Sequence, residues 1–111
     1  MSALEAVERV LDSGGEADDV LRQVVAILYV RLGSFVRISF VESDSLVPGP
    51  AAGEETPTAA FPIAFQGNRV ADLEAGGELT DEDRALLERV AVLVSPYALV
   101  GWDTGGEQWN P

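Results

Sequence analysis

The spacing of apolar residues changes near Phe35, and that change restricts the folds open to the chain. Between residues 4 and 11, and again between residues 21 and 32, apolar side chains recur at helical intervals. From residue 36 to residue 40 they alternate with polar ones, which is the period of a half-buried strand. We therefore expect two amphipathic helices followed by a β-sheet.

Cap residues mark where the helices begin and end. Ser13–Gly15 closes the first helix, and the acids Asp18-Asp19 open the second, because acidic side chains are stabilised at a positive helix N-terminus. Gly33 ends the second helix as a left-handed cap. A third helix opens at Thr80, with Asp83 in the capping-box position.

Turn residues divide the middle of the chain into four strands. After the first strand, residues 46–47 begin a short returning strand, and the Pro- and Gly-rich residues 48–58 are predicted to form a loop. Apolar alternation resumes at residues 61–65, and the Gly67-Asn68 pair is typical of a hairpin turn. Residues 70–73 then form the return strand.

The last helix and the tail set the domain limits. Pro96 is expected to kink or end the helix, because proline lacks a backbone N–H. The segment from Gly101 onwards is predicted to be a loop. We expect one domain at residues 1–100 and a C-terminal tail at residues 101–111. The order α-α-β-β-β-β-α predicts an α+β fold, with an antiparallel sheet covered on one face by helices.

Three residue types that carry much of enzyme chemistry are absent: the chain has no histidine, cysteine or lysine. Histidine is the usual general base near neutral pH, and cysteine and lysine are common nucleophiles. Zinc and copper sites depend on histidine and cysteine ligands. We therefore expect no catalysis, no cofactor and no metal site.

A net charge of −12 limits the partners of the chain. Phosphate backbones and anionic membrane surfaces repel an acidic protein, so we expect no nucleic-acid or membrane partner. A basic protein partner stays open as an alternative to simple solubility. The apolar stretch from Val90 to Val100 is too short to span a bilayer, and the first residues do not resemble a signal peptide. These observations predict a cytoplasmic protein.

Several segments together resemble a GAF domain. The opening helix, the first hairpin and the closing hairpin and helix carry the resemblance, in residues 18–25, 35–53, 61–65, 67–71 and 79–87. The sequence of the first hairpin resembles that of the same hairpin in the free methionine-R-sulfoxide reductase branch of the family. This resemblance, over about residues 17–100, implies a GAF-like fold with two N-terminal helices and one C-terminal helix on one face of the sheet.

The chain also departs from that family. Segments that usually cover the ligand pocket are missing between Gly53 and Ala59. Cysteines of the reductase branch and of bilin-binding members have no counterpart, so a reductase-like enzyme is nearly excluded. The resemblance thus implies a regulatory or interaction module with a truncated pocket region.

The polar side chains of two strands are candidates for a binding site. Arg37 and Ser39 share the face of the first strand opposite its apolar residues, and Asp72 and Glu74 share a face by the same period of two. In a GAF-like fold that face binds ligand, and arginine suits an anionic ligand. Two alternatives stay open: the acids face water or lie at a sheet edge, or Arg37 pairs with an acid.

The acidic groups at helix starts have a simpler interpretation. Asp18-Asp19 and residues 81–83 offer oxygen ligands of the kind that magnesium prefers. Both groups fall in first helical turns, where acids are stabilised by the helix dipole. We interpret them as capping residues.

We expect the chain to act as a non-catalytic regulatory module that forms a homodimer through its first and last helices. The predicted interface is Leu4, Val7, Leu11, Trp102 and Trp109, because aromatic residues are enriched at interfaces. The two tryptophans alternatively fold back onto the core. The alternative function is a monomeric sensor that binds a small ligand on the sheet face.

Overall fold

The computed structural model describes residues 2–43 and 45–106, with residues 99–106 described as backbone only. The described elements follow the predicted order: α1 (Ala3–Asp12), α2 (Ala17–Leu32), β1 (Val36–Glu42), β2 (Ser45–Ala52), β3 (Thr58–Phe65), β4 (Asn68–Gly76) and α3 (Asp81–Gly106). The α+β fold class is therefore confirmed.

The strands form one antiparallel sheet in the order β2-β1-β4-β3. The first and last strands in sequence, β1 and β4, are neighbours at the centre, and β2 and β3 lie at the edges. Residues on β1 and β4 are therefore flanked by strands on both sides. This arrangement places the candidate site residues in the middle of the sheet.

The hydrophobic core lies between the helices and one face of the sheet. Every second residue of β1 and β4 points into it, as the strand period predicts. Each large apolar side chain buried in this way stabilises the fold by about 1.5–3 kcal/mol. Fully buried members from all three helices and from three of the strands include Val7, Leu21, Leu28, Ile38, Ile63, Leu73 and Leu87.

Reciprocal capping boxes start two of the helices. The Thr80 backbone N–H donates to Asp83 Oδ2 and the Asp83 N–H donates to Thr80 Oγ1, both at 3.0 Å, which confirms the predicted cap of α3. Ser2 and Glu5 make the same pair of bonds at the start of α1. The Ser-x-x-Glu spacing of that second box is visible in the sequence.

The predicted loop at residues 48–58 is wrong in its first half, because β2 continues through Pro48-Gly49-Pro50 to Ala52. Prolines are tolerated in an edge strand, where some N–H groups face away from the sheet. A bulge lies here: Ser39 pairs with Pro48 and Arg37 with Ala51, so Gly49 and Pro50 together oppose a single β1 residue. The bulge accommodates the Pro–Gly–Pro run within the strand.

The third helix continues past Pro96, so the predicted end of the helix at this residue is wrong. Proline cannot donate to the carbonyl four residues earlier, which is that of Val92. The Ser95 hydroxyl donates to this carbonyl instead, at 3.0 Å, and so satisfies the acceptor that proline leaves open. The prediction of a loop is wrong for residues 101–106, and the rest of the tail lies outside the described residues.

The β3–β4 hairpin differs from the prediction by one residue. Phe65 pairs with Asn68, so the two turn residues are Gln66 and Gly67 rather than Gly67 and Asn68. Both have positive φ, at 53° and 83°, as a type I′ turn requires. Asn68 begins β4, which runs on to Gly76 and is longer than the predicted strand at residues 70–73.

Candidate functional site

The four predicted site residues lie on the sheet face opposite the helices. Arg37 and Ser39 of β1 are register partners of Glu74 and Asp72 of β4, respectively. Ser39, Asp72 and Glu74 are only 2%, 3% and 7% exposed. The two acids are therefore neither at a sheet edge nor facing water, whereas the other alternative from the sequence, that Arg37 pairs with an acid, is confirmed by its ion pair with Glu74.

One carboxylate oxygen connects three of these residues. Glu74 Oε1 accepts a hydrogen bond from Arg37 Nε at 2.6 Å and another from the Ser39 hydroxyl at 2.7 Å. A buried carboxylate needs such donors, because an unpaired charge away from water is strongly disfavoured. The period of two thus placed Arg37, Ser39 and Glu74 in contact across two central strands.

Arg37 is held from several sides. Its guanidinium carbon lies 5.3 Å from the centroid of the Phe35 ring, within the range of a cation–π contact. Its Nη1 donates to Glu55 Oε2 at 3.0 Å. The hydrogen bond to Glu74 raises the pKa of Arg37, burial opposes this, and the bond to Glu55 adds to it. These contacts together hold the guanidinium in one position.

Glu55 is the site residue that sequence reasoning missed. It lies in the β2–β3 connection, residues 53–57, and its side chain is 71% exposed. From the sequence it was one of two adjacent acids in a polar loop, with nothing to distinguish it from Glu54. Its contact with Arg37 spans 18 residues, so no local pattern reveals it.

Close contacts fix the course of this connection. Gly53 has a φ of 94°, and a Cβ there would lie 2.8 Å from the Tyr29 ring and 3.1 Å from the Phe35 Cα. At the other end, a Cβ on Gly76 would overlap the Thr56 hydroxyl. The connection is thus pressed against the end of the sheet, and it carries Glu55 to the same side as Arg37.

Asp72 belongs to a second pair on this face. Arg69 donates to both of its carboxylate oxygens, with Nε 2.8 Å from Oδ1. Residues three apart on a regular strand point to opposite faces, but the register shifts here: Ile63 pairs with Ala71 and Ala64 with Arg69. The bulge lets Arg69 reach Asp72, and that hydrogen bond raises the pKa of Arg69.

The predicted interface residues are placed differently from the expectation. Val7 is fully buried in the core of the single chain, so it is not available to a partner while α1 stays docked. Leu4 and Leu11 are partly buried against the same core. Val7 is thus used within the chain, whereas a role of Leu4 and Leu11 in an interface stays a prediction. The Trp102 side chain and all of Trp109 lie outside the described residues.

The acidic groups outside the sheet-face site do not form a metal site among the described side chains. No group of three or more acidic side chains in residues 2–43 and 45–98 is arranged to hold a metal ion. Asp83 at the α3 start is engaged in its cap and lies 3.7 Å from Arg31. Among these residues, no helix is long and apolar enough to cross a membrane.

Comparison with known proteins identifies the fold. No protein-family model matches the sequence, and no curated protein sequence matches it. Among solved structures, the chain is similar to the crystal structure of the GAF domain from an Acinetobacter phosphoenolpyruvate-protein phosphotransferase. The TM-score is 0.75 over 95% of this chain and 98% of that one, at 8% sequence identity. The chain therefore has a GAF-like fold, as the sequence resemblance predicted.

Proposed function

We propose that the chain is a non-catalytic regulatory module that binds a small ligand on the sheet face opposite its helices. The observation that carries the proposal is the buried polar cluster of Arg37, Ser39 and Glu74 on that face. Polar groups on the face of a sheet away from the core are ordinarily solvated. Here they are buried, hydrogen-bonded to one another and held in a single arrangement.

Stability alone is a poor reason for such a cluster. Replacing a buried ion pair by apolar residues of similar size is often neutral or stabilising. Small-molecule sites, in contrast, use a few precisely placed polar groups to orient their ligands. The resemblance to GAF domains implies the same face, and the lack of histidine, cysteine and lysine supports a role without catalysis.

The proposal is tested by thermal unfolding against a panel of amino acids, organic acids, nucleosides and phosphates. At least one compound is expected to raise the Tm of the wild-type chain in a saturable way. The same compound is expected to leave the double variant Arg37→Met, Glu74→Leu unchanged, because that variant lacks the polar cluster. Stabilisation reflects ligand occupancy of the folded state.

A matched control removes an ion pair elsewhere. Asp19 and Arg22 form an exposed pair on α2, so the double variant Asp19→Asn, Arg22→Gln is expected to respond to the compound as the wild type does. Ligand binding that survives loss of the polar cluster would place the site on another surface. A panel without any saturable shift would contradict a sensing role.

We also propose that the chain forms a homodimer, with α3 rather than the α1 stripe at its centre. Val92 on α3 is 64% exposed although its helix is otherwise amphipathic, and Val30 on α2 is 81% exposed. A second copy that covers Val92 would remove its apolar surface from water, which favours association. On α3, the exposed positions within residues 81–98 include Val92, which a second copy of the helix would cover.

Light scattering across a concentration series tests the dimer. The wild-type chain is expected to reach twice the monomer mass, and Val92→Glu to stay monomeric, because a buried charge disrupts an apolar contact. Glu88→Gln, at another exposed position of α3, is the control and should dimerise. A dimer that resists Val92→Glu but is lost on removal of residues 102–111 would move the interface to the tryptophans.

A further inference from the structure

The two carboxylates bound to Arg37 are held in different ways. Glu74 is buried, sits in the central strand β4 and also accepts from Ser39. Glu55 extends from the connection between β2 and β3, and its carboxylate is mostly in water. Glu74 is therefore a fixed partner of the guanidinium, whereas water competes with the guanidinium for the Glu55 carboxylate.

The two partners also take different parts of the guanidinium. Glu74 occupies the Nε position, and Glu55 meets Nη1. Guanidinium groups recognise carboxylates and phosphates through these planar N–H donors. The Nη side of Arg37 is thus a position that can bind an oxyanion, and the Glu55 carboxylate of the same chain occupies it.

We propose that Arg37 binds the carboxylate of a small ligand through its Nη side, and that Glu55 occupies this position in the free protein as an internal competitor. The inference rests on the proposed function and adds the chemical class of the ligand. Exposed ion pairs contribute little to stability, because water screens them and side-chain freedom is lost when they form. An incoming carboxylate therefore displaces Glu55 at a small cost.

The fixed contacts keep Arg37 ready for this exchange. When Glu55 leaves, the bond to Glu74 and the contact with the Phe35 ring still hold the guanidinium plane in place. Glu55 returns to solvent on a connection anchored at Gly53 and at Thr56. The exchange therefore needs only a movement of the Glu55 side chain, while the backbone of residues 53–57 keeps its course.

Side-chain NMR of the 15N-labelled full chain provides the test, with sodium acetate as the probe and chloride used to hold ionic strength constant. The Arg37 Nε–Hε signal, assigned from the spectrum of Arg37→Lys, is expected to shift saturably with acetate. In Glu55→Gln the half-saturating concentration is expected to fall about two- to fivefold, the range set by an exposed ion pair.

Glu54→Gln is the matched control, because it removes the same charge from the neighbouring exposed residue. The acetate affinity of Glu54→Gln is expected to stay close to that of the wild type. An equal rise of acetate affinity in Glu54→Gln and Glu55→Gln would mean that net charge alone causes it, and would overturn the proposal. An Arg37 signal that ignores acetate in Glu55→Gln, or responds to inorganic phosphate alone, would overturn it too. If a neutral compound from the panel still binds the sheet face, the sensing function stands without this ligand class.

Discussion

Glu74→Leu is expected to lower the free energy of unfolding by about 2–4 kcal/mol, because it leaves the half-buried Arg37 charge with only an exposed partner. The Ser39 hydroxyl loses its acceptor at the same time and stays buried. Urea denaturation followed by circular dichroism measures the change. The expected loss is large for a single substitution in a chain of 111 residues.

The double variant Arg37→Met, Glu74→Leu separates pairing from packing. Removing both charges leaves no buried ion without a partner, but the Ser39 hydroxyl still lacks its acceptor. The double variant is therefore expected to recover most of the loss and to stay about 1 kcal/mol below the wild type. A double-mutant cycle, which compares the double variant with the two single variants, is then expected to show strong energetic coupling between positions 37 and 74. A double variant as unstable as Glu74→Leu alone would mean that Glu74 acts through its shape and that the ion pair is incidental.

Much of the fold follows from local patterns in the sequence. Helical spacing in residues 4–32 and alternation from Val36 onwards identify the elements, since each needs one apolar face toward a common core. Caps such as Thr80 with Asp83 act over three residues and are visible without a structure. These are short-range effects, so the sequence displays them directly.

Two proline rules failed for identifiable physical reasons. The sequence rule predicts that Pro48 and Pro50 end a strand, but an edge strand with a bulge tolerates the missing N–H groups. The rule for helices predicts an end near Pro96, but α3 continues, and the Ser95 hydroxyl satisfies the carbonyl that proline leaves without a donor. Each exception depends on a neighbour that the rule does not consider.

The candidate site was predictable only where strand periodicity determines it. Arg37, Ser39 and Glu74 meet because they are register neighbours on one face of two adjacent strands. The role of Glu55 depends on how residues 53–57 cross the end of the sheet, and the Arg69–Asp72 pair depends on a bulge. Such contacts come from tertiary structure, which a single sequence does not specify locally.

Gly49→Ala is expected to destabilise the chain by about 2–3 kcal/mol through overpacking at the β1–β2 bulge. A Cβ at this position would lie 2.7 Å from the Ile38 carbonyl oxygen and would overlap the Phe40 ring. The ring can rotate slightly, but the carbonyl belongs to a central strand that is paired on both sides. The measurement is again the urea midpoint, with hydrogen exchange of the β2 amides to locate the damage.

Gly15→Ala is the matched control for this substitution. A Cβ on Gly15 would meet its nearest side-chain atoms at 3.7 and 3.8 Å, which is ordinary contact, so stability should hold or rise by about 0.5 kcal/mol. The bulge also aligns Ala51 with Arg37, so a displaced β2 changes the surroundings of the guanidinium. Gly49→Ala should therefore shift the Arg37 Nε–Hε signal, whereas Gly15→Ala should not. An unchanged signal and midpoint in Gly49→Ala would show that β2 does not approach β1 as closely as described, and would remove the support that the bulge gives to the site.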